Sequence, residues 1–239
     1  MKQDISNEKI FNLVHPLFEN HKYDKFKIPV MKRVSETMLT ISNMNPINIQ
    51  NLSNKYNNSD KIVLFFRYDN NLEKYWLHSL ENVVLLQSAY AVATPDFTIH
   101  PQMEFPEYLH QIYKNRWLGC FWQEHGILAI PTVGWTTSEW DDLSFSGVEK
   151  GSVVIISTLG SKSDKEYFMR GYEEMIKRIS PPLIIVYGDM LSEMKGRFIN
   201  FPYKETFQKK NSLQFQEKLF DISPVFEVKE DYFGQQIFI

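Results

Sequence analysis

The sequence predicts an α/β fold, a mostly parallel sheet of roughly five to six strands with flanking helices, arranged as an open sheet or an incomplete barrel. Three observations carry this. Four apolar runs, residues 83–93, 127–133, 153–156 and 183–186, each end abruptly at a polar or aromatic residue. Such runs read as strands covered on both faces. A helical pattern with a proline stop joins the last two runs, and a βαβ crossover of that kind forces parallel strands and a right-handed connection. The regular pattern begins only at Lys61, after a polar, proline-broken segment. A decorated α/β barrel is the alternative, disfavoured because the strand count falls short of the eight such a barrel needs.

Residues 1–60 are rich in Lys and Asn and are interrupted by Pro16, Pro29 and Pro46. They read as an irregular arm on the body, with a short helix or strand at 10–14 and a loop near 48–59. The core domain is expected over residues 61–203. Residues 62–66 form a strand, 71–80 a short helix, and 83–86 the next strand, continuing or kinking through 90–93. Thr94, Pro95, Asp96 and Phe97 make a turn. Pro106 sits where a first helical position belongs, Leu109, Ile112, Tyr113 and Trp117 follow at helical spacing, and Gly126 terminates the helix. Residues 127–133 are a strand and 134–150 a long loop, a length that often signals function. After the strand at 153–156, Ser163 caps a helix with Glu166 reaching back. Its apolar positions run from Tyr167 to Ile179 before Pro181 and Pro182 stop it. Residues 183–186 are the next strand and 197–201 one more. Residues 204–239 read as an extension, a polar linker followed by edge strands at 225–228 and 235–239.

Composition excludes several classes. Net charge is −3 with a pI near 6.1, which argues against a protein that coats nucleic acid in bulk. The single Cys120, set among Trp117, Leu118, Phe121 and Trp122, rules out an internal disulfide and a cysteine zinc cluster, and reads as a buried inert thiol. No apolar run reaches the roughly 20 residues of a membrane span and the first residues do not pattern as a signal peptide. The expectation is a cytoplasmic protein with no membrane partner.

In a parallel sheet the strand carboxyl ends share one rim, where α/β folds keep their ligands. Candidate residues are therefore sought there. Asp96 and Asp189 follow two strands and, if neighbours, would form a two-carboxylate catalytic site for acid, base or metal work. A divalent metal is a compatible cofactor for such a pair. His100 lies four residues past Asp96. Trp135 ends a strand and can floor a pocket for a flat ligand. Ser157, Thr158, Gly160 and Ser161, with Lys162, lead into a helix N-terminus, an arrangement suited to an anion, although without the spacing of a Walker A loop. Asp141 and Asp142 are adjacent, so their side chains diverge, and a solvated loop is the simpler reading.

The segments Thr94 to Thr98 (TPDFT), Tyr113 to Gly119 (YKNRWLG), Ile130 to Trp135 (IPTVGW), Phe145 to Gly147, Ile155 to Gly160 (IISTLG) and Phe168 to Gly171 (FMRG) together resemble an uncharacterised family of phage and mobile-element proteins, catalogued as a domain of unknown function. The resemblance covers roughly residues 60–190 and implies a phage or integrated-element origin. It implies no activity, so no role transfers with it. Two functions follow as expectations. One is a ligand-binding or catalytic site at the strand rim for a nucleotide or other phosphorylated molecule. The other is a non-enzymatic phage protein that engages a host protein, such as an inhibitor of a host defence system.

Overall fold

The structure, a computed structural model, describes residues 15–203 apart from 18–19, 41–43, 137 and 162, together with the short strand at 217–218. Seven parallel strands follow one another in chain order: β1 (Asn45–Asn48), β2 (Lys61–Leu64), β3 (Ala91–Ala93), β4 (Ala129–Ile130), β5 (Val154–Ser157), β6 (Ile184–Tyr187) and β7 (Phe198–Phe201). The eighth, β8 (Glu217–Lys218), is antiparallel to β7. Helices α1 (Asp69–Leu77) and α2 (Val83–Gln87) join β2 to β3, and α3 (Phe105–Glu124) joins β3 to β4. The short α4 (Asp141–Ser144) precedes β5, and α5 (Lys165–Ile179) joins β5 to β6.

The strands form two ladders, β1 to β4 and β5 to β8. They meet where the chain past β4 pairs with β5. Ile155 N donates to Pro131 O at 2.9 Å, and Val133 N donates to Ile155 O at 2.8 Å. Side chains alternate across this curved surface. Ile62, Leu64, Ala91, Ala93, Ile130, Ile155, Ile185, Tyr187, Ile199 and Phe201 meet in one inner core. The opposite face packs on helices in two groups: Val63 and Val92 on α1 and α3, and Val154, Ile156, Ile184 and Val186 on α5. A single inner core fed by consecutive parallel strands is the geometry of an incomplete barrel. No ladder joins β1 to β7 or β8 among the described residues, so the closed-barrel alternative does not form.

The structure departs from the sequence expectations at particular places. Residues 83–86 are helical, not extended. Val83 and Leu86 are buried one helical step apart while Val84 is 69% exposed, and a four-residue apolar run is compatible with either state. The strand is confined to Ala91–Ala93, within the expected continuation through 90–93, and every residue of it is buried. Asn45–Asn48 is a strand although it contains Pro46. It is an edge strand in the β1-to-β4 ladder, where a missing N–H is tolerated. The long loop after β4 carries a 3-10 turn (Ser138–Trp140) and α4. The cap of α5 is Asp164, whose carboxylate accepts from Tyr167 N at 3.0 Å; Ser163 Oγ turns back to Gly160 O at 2.7 Å. The proposed segments at 10–14, 204–211, 225–228 and 235–239 lie outside the described residues.

Residues 15–34 make contacts far along the chain. His15 stacks on Trp76 at 3.6 Å between centroids, and Trp117 Nε1 donates to His15 O at 2.6 Å. Met31 N donates to Gly147 O, and Val153 N to Val34 O. Among the described residues no helix is long and apolar enough to cross a membrane.

Helix α5 approaches the rim through Gly171. A Cβ there would lie 2.0 Å from Trp135 Cδ1, so the indole rests on bare backbone and donates from Nε1 to Phe168 O at 3.1 Å. Gly171→Ala is expected to destabilise the protein by about 1–3 kcal/mol, as overpacking does. A urea midpoint equal to that of the wild type would contradict this contact.

Candidate functional site

The rim is organised around a buried polar network. Every residue of α3 from Lys114 to Trp122 is buried, which brings Asn115 and Arg116 beneath the ends of β3 and β4. Arg116 is 1% exposed and makes no ion pair among the described residues. Its Nε donates to Ser146 O at 2.8 Å, Nη1 to Thr132 O at 2.8 Å and to Asn115 Oδ1, and Nη2 to Ser144 O at 3.0 Å. Burial lowers its pKa to about 10, so it remains charged at neutral pH. Thr94 Oγ1 donates to Asn115 Oδ1 at 2.9 Å and accepts from Thr132 N at 2.8 Å. Thr132 Oγ1 donates to Thr94 O at 2.6 Å. Asn115 Nδ2 donates to Pro95 O at 2.7 Å, which fixes the residue before Asp96.

Above this network lies a cavity of about 300 Å³ over the carboxyl ends of β3, β4 and β5. Asp96 and Pro101 line one side. Val133, Gly134 and Trp135 line the floor. Ser157, Gly160, Ser161, Ser163 and Asp164 form the opposite wall, with Tyr167 and Phe168 from the first turn of α5. Asp96 opens to the cavity while protein surrounds it on the other sides. This desolvation pushes its carboxyl pKa up to about 7, with the Asp69 carboxylate as a further cause. Among the described residues nothing donates a hydrogen bond to Asp96. A carboxyl poised near neutrality with free oxygens can act as a general acid or base, or receive ligand donors.

Of the residues predicted for a site, Asp96, Trp135, Ser157, Gly160 and Ser161 converge on this cavity. Three do not line it. Asp189 is exposed beyond β6, and β4 and β5 separate its strand from that of Asp96, so the carboxylate pair does not assemble. Thr158 is buried, with N and Oγ1 both directed to Tyr187 O. His100 Nδ1 accepts from Gln102 N at 3.2 Å. Among the described residues no group of three or more His, Cys, Asp or Glu is placed to hold a metal ion.

The serine wall is less of an anion cradle than its sequence suggests. Ser157 Oγ accepts from Leu159 N, and Ser161 Oγ donates to Thr158 O. Asp164 already occupies the α5 N-terminus. Lys162 lies outside the described residues. Behind the cavity, Asp141 is buried and pairs with Arg170 at 2.9 Å, whose Nη2 donates to Thr136 O at 2.7 Å. Asp142 points outward to Lys25 and Arg178. The adjacent carboxylates do diverge, but the inner one is structural rather than solvated. Sequence reading missed Asp164, Tyr167 and Phe168 as lining. The signal for them was positional: they open the helix that follows a rim loop.

An incomplete parallel α/β barrel with an acidic, aromatic-walled pocket at its strand ends is thus the class of molecule. The chain belongs to the family described as Domain of unknown function (DUF4417), whose model matches residues 21–204. It is 36% identical over 129 residues to the "Gene 1 protein" of Mycobacterium phage L5, covering 53% of this chain and 56% of that protein. It is 34% identical over 127 residues to the "Gene 1 protein" of Mycobacterium phage D29, covering 52% and 47%. The chain spans about half the length of these curated relatives. No solved structure matches it. The similarity associates the chain with phage proteins.

The raised pKa of Asp96 makes stability depend on pH with a definite sign. The folded state holds its proton to about 7, whereas an unfolded aspartate releases it near 3.9. This contribution is therefore fully present below about 4 and is lost as pH rises through 7. Asp96→Asn is expected to flatten that slope between pH 4 and 7 in denaturant titrations. An unaltered slope would show that Asp96 is not the group responsible.

Proposed function

We propose that this phage-associated protein binds a small molecule of the nucleotide class in the rim pocket, with Asp96 as the residue that contacts its reactive or recognised edge. The observation that carries the reading is an unpaired carboxyl, displaced toward neutrality, that opens into a cavity walled by Trp135, Tyr167 and Phe168. Apolar walls with a few convergent polar groups are the usual composition of small-molecule sites. The position agrees with the general placement of ligands at strand carboxyl ends. Asp96 at this pKa also suits a proton-transfer role, should the ligand be turned over.

A second reading draws on a different observation. Tyr56, Tyr68 and Tyr203 are 72%, 68% and 45% exposed, and exposed aromatics are the residues that dominate protein-binding hot spots. Under it the chain engages a host protein, for example a defence component, without chemistry.

A thermal-shift panel of nucleotides, nucleosides, phosphosugars and divalent metal ions separates the two. Ligand at about a hundred times its Kd stabilises by about 2.7 kcal/mol, so a true ligand raises Tm by several degrees, and Asp96→Asn removes most of that rise while leaving the unliganded protein folded. A flat response across the panel would contradict the pocket reading and favour the second.

A further inference from the structure

The polar groups around the cavity constrain which part of a ligand it accepts. This step rests on the reading of the cavity as a ligand site. Among the described lining residues none carries a positive charge, and two, Asp96 and Asp164, are carboxylates. Ser161 and Ser163 donate their hydroxyl hydrogens to the carbonyls of Thr158 and Gly160, Ser157 Oγ accepts from Leu159 N, and Asp164 caps the α5 N-terminus with its own carboxylate. Among the described lining residues a phosphate placed inside would meet two carboxylates and no cation, an unfavourable arrangement in a partly desolvated site. A ligand edge that donates is favoured instead. Asp96 has two acceptor oxygens that no described protein group occupies, so the complementary edge has two parallel N–H groups.

The remaining walls set the shape. Trp135, Tyr167 and Phe168 present aromatic surface, with Val133 and Pro101 completing an apolar slot. Aromatic surfaces pair well with flat rings and with delocalised cations. A volume of about 300 Å³ lies at the low end of ligand sites, which suits a planar head group rather than a long phosphorylated chain.

We propose that the pocket selects a planar group with two adjacent N–H donors, as found on the Watson–Crick edge of guanine or on a guanidinium, and that Asp96 receives both donors while the aromatic walls hold the plane. Guanine and guanidinium share this chemistry, and a direct comparison distinguishes them. Adenine and cytosine place a ring acceptor beside the donor, which an ionised Asp96 repels. Uracil and inosine offer a single donor.

Titration calorimetry of the full chain at pH 8, where Asp96 is ionised, tests the assignment with guanosine, inosine, adenosine, agmatine and inorganic phosphate. Guanosine or agmatine is expected to bind, and whichever of the two binds identifies the source of the donor pair. Inosine, which lacks the exocyclic amino group, is expected to bind at least about tenfold more weakly than guanosine if guanine is the source, in line with the discrimination of a bidentate pair. Asp96→Asn is expected to weaken the binding ligand by a similar factor. Inosine equal to guanosine, tighter binding of phosphate or adenosine, or undiminished affinity in Asp96→Asn would each overturn the proposal. So would the absence of binding by both guanosine and agmatine. The comparison among ligands uses the wild-type chain, so it stands even if Asp96→Asn fails to fold. If these two fail while another compound from the wider thermal-shift panel binds, the donor-edge assignment is wrong and the pocket reading survives. If nothing binds in either experiment, both fall.

Discussion

Arg116 is buried and forms no ion pair among the described residues, and the rest of the rim is arranged to satisfy its charge. Removing a guanidinium from water costs several kcal/mol unless its donors are met. Here four of its five N–H groups are met, by the carbonyls of Thr132, Ser144 and Ser146 and by Asn115 Oδ1. Those carbonyls belong to two separate loops, one leaving β4 and one preceding β5, and Asn115 brings in a third, the turn after β3. Each loop must hold its carbonyl in place or leave a buried charge unpaired, so three flexible connections become one body. Gly147 allows the close approach. Its φ is +72°, and a Cβ would lie 2.9 Å from Arg116 Cγ and 2.7 Å from Pro29 O.

This constraint explains why the pocket sits where it does. The two ladders meet at Pro131, Thr132 and Val133 against Ile155. The crevice of the cavity is lined from both sides of this joint, by Val133, Gly134 and Trp135 and by Ser157. The Arg116 network forms the support under that crevice, and Trp135, pinned between Gly171 and Phe168 O, forms its floor. Asp96 is then held by its neighbours rather than by its own bonds. Asn115 grips Pro95, and Asp69 accepts from Thr98 N and Oγ1 at 3.0 and 2.9 Å. The turn is tied down on both sides of Asp96, and among the described residues no group donates to the carboxylate at its centre.

Much of this was legible in the sequence, for identifiable reasons. Apolar runs of strand length that stop at a polar residue mark strand carboxyl ends, and so Asp96, Trp135, Ser157, Gly160 and Ser161 were found together. The same rule placed Asp189 on the rim, but strand order is not encoded in run length. Two strands separate Asp189 from Asp96, so rim membership did not imply proximity. Residues 83–86 misled because four apolar residues have no measurable period, whereas the continuation of that run through 90–93 does contain the strand Ala91–Ala93. Arg116 was invisible as a hub. Within Asn115-Arg116-Trp117 it looks like a surface charge, and nothing local shows that its acceptors lie 16 to 30 residues ahead. The serine-rich loop read as an anion cradle because sequence lists hydroxyls but not where they point.

The central claim is that Arg116 couples three loops into one rim. Native-state hydrogen exchange on Arg116→Lys tests it directly, since lysine keeps the charge and loses the planar fork. Amides in residues 94–97, 132–136 and 144–147 should lose protection together, by a common factor, while those of β6 and β7 retain theirs. Protection lost evenly across the whole molecule, or lost in one of the three loops alone, would contradict the account.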